Sequence, residues 1–455
     1  MQGETIVALS TPPGESGIAV IRLSGREAAR VLDRLSSGVT EWQTHHIRRT
    51  NIIDTDGELI DEAMAVLMKG PDSYTGEDVV EIYSHGGLQV VSEIIGAALA
   101  LGAVTAEPGE FTKRAFMNGK LDLAQAEAVA DLIGAETKLQ RQVALEHLEG
   151  GLSRAVRGIE ERIAELLALV EVSIDFSEEE IPTYDREEAL RLIASMRSEL
   201  RRLAESEIVG AKLRRGIRVT ILGERNAGKS SLYNALLGEE RAIVSPVPGT
   251  TRDLLSERLH IGGFTYHLED TAGIAETGCE IESKGISIGR TAAGRADMVL
   301  FVMDGSEGIT GGAAEELERL RGRRVLCVLN KRDLGHAVSE EEAARRLGAD
   351  RVLSLSALRG DGLDRLREWL YSESIAKRSG EIGRERLAVN ARQADALRRA
   401  DEALGRLDEA MRADAPAELL SVELRAAASE CGSVTGRSVT SDLLDTIFQR
   451  FCIGK

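Results

Sequence analysis

The sequence predicts a multidomain chain that combines α/β and α-helical parts. Its 455 residues exceed what one hydrophobic core usually serves. Strand-like apolar runs separated by helical patterns fill residues 216–375, and long amphipathic helical patterns lie on both sides of them. We therefore expect an N-terminal α+β domain at 1–118, the first part of a helical domain at 119–215, an inserted doubly wound α/β domain at 216–375 and the second part of the helical domain at 376–455.

The first 118 residues mix short strand-like runs with one helical pattern. Ile18–Leu23 and Val79–Tyr83 have the composition of strands. Turn signals separate such runs, among them TPPG, GPDSYTGED, HGG and PGE. This alternation predicts a small α+β domain.

Long helices are expected next. Apolar residues recur at three- and four-residue spacing over 121–176, with a break at Gly150 and Gly151. Asp185 and Glu188 resemble a capping box that opens a helix running to about Ser206.

A third helical block covers 387–451, with a turn at 414–416. Neither helical block could easily bury its apolar stripe alone, so we expect the blocks on the two sides of the inserted domain to pack together.

The inserted segment has a different periodicity. Helical patterns separate most of its strand-like runs, several of which are apolar throughout, as in a doubly wound sheet. The runs are Ile217–Leu222, Arg258–Ile261, Thr265–Glu269, Met298–Met303, Arg324–Leu329 and Val352–Leu355.

Residues 223–230 fit the pattern GxxxxGK[ST], directly after a strand and before a helix predicted at 231–238. Its glycines let backbone N–H groups surround phosphates at a helix N-terminus. Lys229 can reach the β- and γ-phosphate oxygens, and the hydroxyl of Ser230 can ligate Mg²⁺. The segment therefore predicts a phosphate-binding loop.

Three later motifs narrow the ligand to a guanine nucleotide. Asp270 and Gly273 belong to DTAG, which supplies an acid near Mg²⁺ and a glycine that can meet the γ-phosphate. In the NKRD motif at 330–333, the carboxylate of Asp333 can accept both N1–H and the exocyclic amine of guanine, a donor pair that adenine lacks. A backbone N–H of the SAL motif at 356–358 would meet O6 of the base.

The residue after DTAG is Ile274, where Ras-like enzymes carry a glutamine that orients the attacking water. An apolar side chain cannot polarise water. Another group must therefore assist hydrolysis.

Charge and cysteine content limit partners and compartment. The formal charge of −18 repels polyanions at long range, so an RNA partner would need a local basic patch. No apolar run approaches the roughly 20 residues that span a bilayer, and the N-terminus does not have the pattern of a signal peptide. With cysteines that lie far apart, this favours a reducing cytoplasm and no membrane association. The cysteines are Cys279, Cys327, Cys431 and Cys452.

One cluster is the best basic candidate for an RNA contact, although a solvated helix face explains it at least as well. It consists of Arg197, Arg201, Arg202, Lys212, Arg214, Arg215 and Arg218.

Nearly the whole chain resembles the MnmE/TrmE family of bacterial and organellar tRNA modification GTPases. The matching segments are TPPGESGIAVIRLSG (11–25), YTGEDVVEIYSHGG (74–87), PGEFTKRAFMNGKLDLAQAEAVADLI (108–133), NAGKSSLYNAL (226–236), AIVSPVPGTTRD (242–253), DTAGI (270–274) and FCIGK (451–455). The resemblance implies a homodimer that acts with an FAD-containing partner on C5 of the wobble uridine of certain tRNAs. It also implies a folate-binding-like N-terminal domain that holds a 5-formyl- or methylene-type tetrahydrofolate as one-carbon donor.

The resemblance also assigns roles to residues. It implies that Glu282 orients water, and that Lys229 and Cys452 belong to the catalytic set. For Cys452, packing explains the residue equally well. The implied folate-binding residues are Arg22, Glu81, Lys120 and Lys455.

Two cations are implied as well. K⁺ would be held by Asn226, Ser245, Val247 and Thr250, and Mg²⁺ by Ser230 and Thr251. With the motifs above, the predicted GTP-binding residues are Asn226, Ala227, Gly228, Lys229, Ser230, Ser231, Ser245, Thr250, Thr251, Asp270, Gly273, Asn330, Lys331, Asp333, Ser356 and Ala357.

The chain departs from the family where Glu224 and Arg225 stand in place of the usual Arg-Pro. Two other readings remain open at this point. A ribosome-assembly GTPase that binds rRNA would typically carry a KH-like domain after its nucleotide domain, whereas helices are predicted there. A stand-alone folate-dependent enzyme with a regulatory GTPase insert would need no flavoprotein partner.

Overall fold

The computed structural model describes residues 3–39, 41–175, 185–238, 256–270, 293–374 and 387–455. The chain divides into two compact units, each built from separate segments. Unit 1 comprises Met1–Ile133, Leu145–Ala204 and Asp395–Lys455, and unit 2 comprises Gly134–Ala144 and Glu205–Ala394. The bounds of the four segments expected from the sequence, 1–118, 119–215, 216–375 and 376–455, remain predictions.

A seven-stranded sheet with the order β3-β4-β5-β6-β2-β1-β7 forms one half of unit 1. All its neighbouring strands run antiparallel except β1 and β7, which are parallel. The strands are β1 (Ile6–Leu9), β2 (Ala19–Ser24), β3 (Ser36–Ser37), β4 (Arg48–Ile53), β5 (Leu59–Met68), β6 (Val79–Ser84) and β7 (Val104–Thr105).

Alternation along these strands creates the core. Ile21, Leu23, Ala65 and Ile82 are fully buried on one face, where α1 (Ala28–Leu35) and α2 (Leu88–Ala100) contribute to the same hydrophobic cluster. A third helix, α3 (Glu110–Met117), follows β7.

The N-terminal sequence was predicted to contain one helical pattern, and this prediction was wrong. Three helices lie within the described part of residues 1–118. Two of them, α1 and α3, have only eight residues each, so each shows little more than two turns of periodicity. In addition, the turn signal PGE at 108–110 leads directly into α3, so the sequence there indicated a turn rather than a helix.

Helices form the other half of unit 1. They pack through apolar residues at three- and four-residue spacing, such as Ile193, Met196, Leu200 and Leu203, all at most 3% exposed. The helices are α4 (Leu123–Ile133), α6 (Gly151–Asp175), α7 (Arg186–Glu205), α13 (Ala391–Arg412), α14 (Ala417–Thr435) and α15 (Ser441–Phe448). A further helix, α5 (Lys138–Leu148), and the first residues of α13 include residues that belong to unit 2.

Helices from both sides of the inserted segment pack together, as predicted. Arg425 on α14 pairs with Glu171 on α6 at 2.8 Å, and Asp401 on α13 accepts hydrogen bonds from Arg197 and Arg201 on α7, both at 2.9 Å. The predicted break at Gly150 and Gly151 is confirmed, since α5 ends at Leu148 and α6 begins at Gly151.

The helix predicted to begin near Asp185 is also confirmed. The Oδ1 atom of Asp185 accepts a hydrogen bond from Glu187 N at 2.9 Å, which caps the first turn of α7.

Unit 2 contains a six-stranded sheet with the order β13-β12-β11-β8-β10-β9. Its strands are parallel except β9, which pairs antiparallel with β10. The strands are β8 (Ile217–Gly223), β9 (Ser256–Ile261), β10 (Phe264–Asp270), β11 (Met298–Asp304), β12 (Val325–Asn330) and β13 (Val352–Ser354).

The helices of unit 2 place hydrophobic clusters on the sheet, as expected for a doubly wound fold. They are α8 (Glu207–Arg215), α9 (Lys229–Leu237), α10 (Gly311–Arg319), α11 (Glu340–Leu347) and α12 (Leu363–Ser374), with a short 3₁₀ helix at Arg332–Leu334. In the part of the chain that the structure describes, no helix is long and apolar enough to cross a membrane.

Candidate nucleotide site and a polar cluster in unit 1

The loop from Gly223 to Gly228 joins β8 to α9 through unusual backbone conformations. Gly223, Asn226 and Gly228 have φ angles of 140°, 59° and 87°. A Cβ atom on Gly223 would lie 1.9 Å from Val302 O, and one on Gly228 would lie 2.3 Å from Asn330 Nδ2. Glycine is therefore required at both positions, because a side chain would clash with its neighbours and because other residues rarely adopt these positive φ angles.

Lys229 is the first residue of α9. Its Nζ atom donates hydrogen bonds to Gly223 O at 3.1 Å and to Glu224 O at 2.6 Å. The ammonium group thus lies within the loop, where the helix N-terminus also favours anions. Ser230 and Ser231 follow it in the first turn and are exposed. This arrangement suits a bound phosphate group.

Asn330 connects this loop to the segment after β13. Its Nδ2 atom donates to the carbonyl of Ala227 at 2.9 Å. Its Oδ1 atom accepts from the backbone N–H of Ala357 at 2.9 Å. One buried side chain therefore fixes the spacing between the phosphate-binding loop and the predicted base-binding segments.

Asp333 and Ser356 form the second part of the site. The Oγ atom of Ser356 donates to Asp333 Oδ1 at 2.6 Å and accepts from Arg359 N at 3.2 Å. The hydrogen bond from Ser356 is the main reason why the pKa of the Asp333 carboxyl lies below its ordinary value. An ionised, partly exposed carboxylate is thus held in place to accept two N–H donors.

Sequence reasoning missed Asp304, which ends β11 and is 6% exposed. Its Oδ2 atom pairs with Lys331 Nζ, and its Oδ1 atom accepts from the backbone N–H and the hydroxyl of Ser306. Burial acts to raise the pKa of Asp304, but the hydrogen bonds from Lys331 and Ser306 outweigh it and lower the pKa. An acidic residue at the carboxyl end of an apolar strand is the signal that could have found it.

Few of the predicted cation ligands can be placed. Ser230 and Asn226 are described, and their hydroxyl and amide oxygens suit Mg²⁺ and K⁺ respectively. Asp270 ends β10 opposite Ile221 of β8, so its backbone lies at the same sheet edge as the phosphate-binding loop. Among the described residues, no group of three or more His, Cys, Asp or Glu side chains could hold a metal ion. The predicted residues Ser245, Val247, Thr250, Thr251, Gly273 and Glu282 lie outside the described residues.

A separate polar cluster lies in unit 1, where Arg22 and Glu81 stand opposite each other on β2 and β6. Arg22 Nη2 pairs with Glu81 Oε1 at 2.8 Å, and Arg22 Nη1 donates to Gly454 O at 3.2 Å. The pKa of the neighbouring Lys455 is lowered, first by burial and then by the charge of Arg22. Three of the four predicted folate residues are therefore brought together.

The walls of this cluster are aromatic. The guanidinium of Arg22 lies 5.5 Å from the ring centroid of Tyr74. Lys120, the fourth predicted folate residue, donates to Pro71 O at 2.9 Å, on the turn segment that also carries Tyr74. Tyr83 donates to Glu81 Oε2 at 2.6 Å, and burial, followed by this hydrogen bond, raises the pKa of Tyr83 to about 12.

The described cysteines have different surroundings. Cys327 and Cys431 are free and buried, and burial raises the pKa of each thiol to about 12. Cys452 is free and exposed, and its carbonyl accepts a hydrogen bond from Gly109 N at 3.3 Å. Cys279 lies outside the described residues.

Five of the seven cations in the candidate basic cluster for RNA have partners in the structure. Arg197 and Arg201 both pair with Asp401, and Arg215 pairs with Asp297. Lys212 and Arg214 instead donate to backbone carbonyls of unit 2. The partners of these five cations are distant in sequence, which supports the alternative of ordinary helix-surface charges for them.

Comparison with known proteins identifies the family. A model described as the MnmE helical domain matches residues 123–452, and one described as the GTP-binding protein TrmE N-terminus matches residues 5–120. The chain belongs to the MnmE family of tRNA modification GTPases. Both matches agree with the family resemblance drawn from the sequence.

Full-length relatives within the MnmE family are similar over their whole length. The tRNA modification GTPase MnmE of Aquifex aeolicus is 40% identical over 99% of this chain and all of the relative. Those of Symbiobacterium thermophilum and Moorella thermoacetica are 41% and 42% identical, each over all of both chains. Among solved structures, the G domain of the Thermotoga maritima FeoB iron transporter is 26% identical over 35% of this chain and 98% of that chain, with a TM-score of 0.28.

Proposed function

We propose that this chain binds and hydrolyses GTP and that hydrolysis serves the modification of tRNA. The observation that carries the proposal is the position of the Asp333 carboxylate, which Ser356 Oγ holds at 2.6 Å. Asn330 joins the segments that carry these residues to the phosphate-binding loop through bonds to Ala227 and Ala357. A ligand with phosphates at Lys229 and two N–H donors at Asp333 matches a guanine nucleotide.

Nucleotide selectivity tests this proposal. Wild-type protein should hydrolyse GTP and not ATP, and Asp333→Asn should shift the preference toward xanthine nucleotides, because an amide can donate to the carbonyl that replaces the guanine amine. Asp364→Asn is the matched control, since its side chain is 99% exposed on α12 of the same unit. Comparable turnover of ATP and GTP by the wild type would contradict guanine recognition.

The residues of this chain have separable roles in the proposed reaction. Lys229 would bind the β- and γ-phosphate oxygens after releasing the two loop carbonyls that it now contacts. Ser230 and Thr251 would hold Mg²⁺, while Asn226, Ser245, Val247 and Thr250 would hold K⁺. These cations would neutralise charge that develops on the phosphates. Glu282 would orient the attacking water, since Ile274 cannot, so Glu282→Ala should lower kcat far more than GTP affinity.

The K⁺ part of the proposal has its own test. GTP hydrolysis should be faster in KCl than in NaCl at matched ionic strength, and Asn226→Ala should remove the difference. Equal wild-type rates in the two salts would contradict a role for K⁺ in hydrolysis.

At finer detail, we propose that the chain acts as a cytoplasmic homodimer, joined through residues 1–118, with an FAD-containing partner on C5 of the wobble uridine. The resemblance to the family supports this assignment. A tetrahydrofolate derivative would donate the one-carbon unit at Arg22, Glu81, Lys120 and Lys455. The paired charges of Arg22 and Glu81 have the types that a pterin edge and a glutamate tail require. Cys452 is the exposed thiol nearest in sequence to this cluster.

Mass spectrometry of tRNA nucleosides tests the modification. A strain that lacks this chain should lose the substituted wobble uridine, and the wild-type gene should restore it. Asp333→Asn should restore it only when the cell can supply a nucleotide that the variant binds. Unchanged wobble nucleosides in the deletion strain would contradict the modification role and leave the GTPase role standing.

A further inference from the structure

Asp304 and Lys331 form an ion pair between two loops at the carboxyl edge of the sheet in unit 2. Asp304 Oδ2 lies 2.5 Å from Lys331 Nζ. The other carboxylate oxygen, Oδ1, accepts from Ser306 N at 3.0 Å and from Ser306 Oγ at 2.6 Å. The two oxygens therefore have separate partners, one on its own loop and one on the predicted base-binding loop.

The backbone of Lys331 lies in the left-handed region, with a φ of 67°. This conformation is unfavourable for a non-glycine residue and persists only where the surrounding structure holds it. Two backbone bonds assist: Gly305 N donates to Asn330 O at 2.9 Å, and Ala337 N donates to Gly305 O at 2.9 Å. The loop that follows Asp304 therefore braces the loop that carries Lys331 and Asp333.

The charge of Lys331 also matters for its neighbour. Lys331 contributes to the electrostatic environment of the Asp333 carboxylate. If the ammonium group were released, it could pair with Asp333 and compete with the two N–H donors of a guanine base. Lys331 has a long apolar stem, which can cover the face of a planar base while its charged end is held elsewhere.

We propose that Asp304 is a positioning residue for guanine recognition. It acts through Lys331, by anchoring the ammonium group away from Asp333 and by fixing the stem where it can cover the base. This inference rests on the proposed GTP-binding function. Asp304 itself needs no contact with the nucleotide.

The test is a double-mutant cycle measured with a fluorescent GDP analogue. Asp304→Asn should weaken binding about tenfold, the size expected for one charge-assisted hydrogen bond. Lys331→Met keeps an apolar stem but removes the charge. If Asp304 acts through Lys331, adding Asp304→Asn to Lys331→Met should cause no further loss. At saturating GTP, kcat of Asp304→Asn should stay within about twofold of wild type.

Ser306→Ala is the matched control. It removes a hydrogen bond to the other carboxylate oxygen and leaves the pair with Lys331 intact. This variant should bind the analogue like the wild type. An equal loss of affinity in Ser306→Ala and Asp304→Asn, or additive losses in the double mutant, would show a general structural role and overturn the proposal.

The outcomes also separate this inference from the proposed function. A wild type that does not bind the GDP analogue would contradict the GTPase proposal. A wild type that binds it, with Asp304→Asn equal in affinity, would overturn only the role of Asp304.

Discussion

At the scale of single residues, backbone conformation and burial decide what each side chain can do. Asn226 and Lys331, two non-glycine residues of the nucleotide site, have positive φ angles of 59° and 67°. Such conformations are concentrated at functional sites because the surrounding structure must hold them in place. Burial, in turn, shifts the pKa of titratable side chains, and His267 on β10 is an example. Its pKa is lowered, first by burial and then by the charge of Arg258.

The lowered pKa of His267 predicts acid sensitivity of unit 2. As pH falls below about 6.5, the unfolded chain takes up a proton before the folded chain does, so the free energy of unfolding decreases until the lowered folded-state pKa is passed. His336, whose pKa is also lowered by burial, adds to this effect. Above about pH 6.5, where these histidines are neutral in both states, their contribution to the free energy of unfolding is fully present.

Urea unfolding at about pH 7.5 and about pH 5.5 measures this effect. Trp369 fluorescence in a Trp42→Phe background reports unit 2, because Trp369 belongs to its core. His267→Gln should reduce the pH dependence, whereas His46→Gln, at an exposed position, should retain it. An unchanged pH dependence in His267→Gln would exclude this histidine as a cause.

At the scale of secondary-structure elements, long-range ion pairs supplement apolar packing between helices. Asp401 on α13 has a side chain that is 16% exposed, and it pairs with Arg197 and Arg201 of α7. The apolar stripe of α7 was predictable from its spacing. Its acidic partner was not, since Arg197 and Asp401 are 204 positions apart in sequence.

Asp401→Asn should lower the free energy of unfolding of unit 1 by about 1–2 kcal/mol, because two cations lose a largely buried acceptor. Asp395→Asn on the same helix is the control. The side chains of Asp395 and Arg399 are 60% and 46% exposed, so this pair should contribute no more than about 0.5 kcal/mol. Chemical denaturation followed by circular dichroism would compare them, and equal losses would contradict the importance of burial.

At the scale of the whole molecule, each compact unit is assembled from segments distant in the chain. In unit 1 the last residues lie against the first strands: Ser10 Oγ donates to Gly454 O at 3.0 Å, across 444 positions of sequence. The same carbonyl accepts from Arg22. The polar cluster of Arg22 and Glu81 therefore includes the C-terminal tail, which we define as residues 452–455, in addition to the N-terminal sheet.

Removal of the C-terminal tail should abolish binding of 5-formyltetrahydrofolate, since Lys455 and the Gly454 carbonyl that orients Arg22 would be lost. The GTP affinity and kcat of the truncated chain should stay within about twofold of wild type, because the proposed GTP-binding residues lie in unit 2. Calorimetry and steady-state hydrolysis measure the two properties. Ile453→Ala, at a position 59% exposed, is the control that keeps both groups. Folate binding by the truncated chain would contradict a role for the tail.

The sequence by itself determined the local elements of this protein. The strand, turn and helix around Gly223–Ser230 and the break at Gly150 follow from periodicity and glycine content, which act between neighbouring residues. Short helices such as α1 and α3 escaped prediction because two turns leave little periodic signal. Motif order indicated a guanine nucleotide, and matching segments along nearly the whole chain led to the family.

Only the tertiary structure decided which distant groups meet. It placed Arg22 beside Glu81 and Gly454, and Asp304 beside Lys331. It also paired Arg197 and Arg201 with Asp401. Charge is visible in a sequence, but its partner is selected by packing and burial, which depend on residues brought together only when the chain folds.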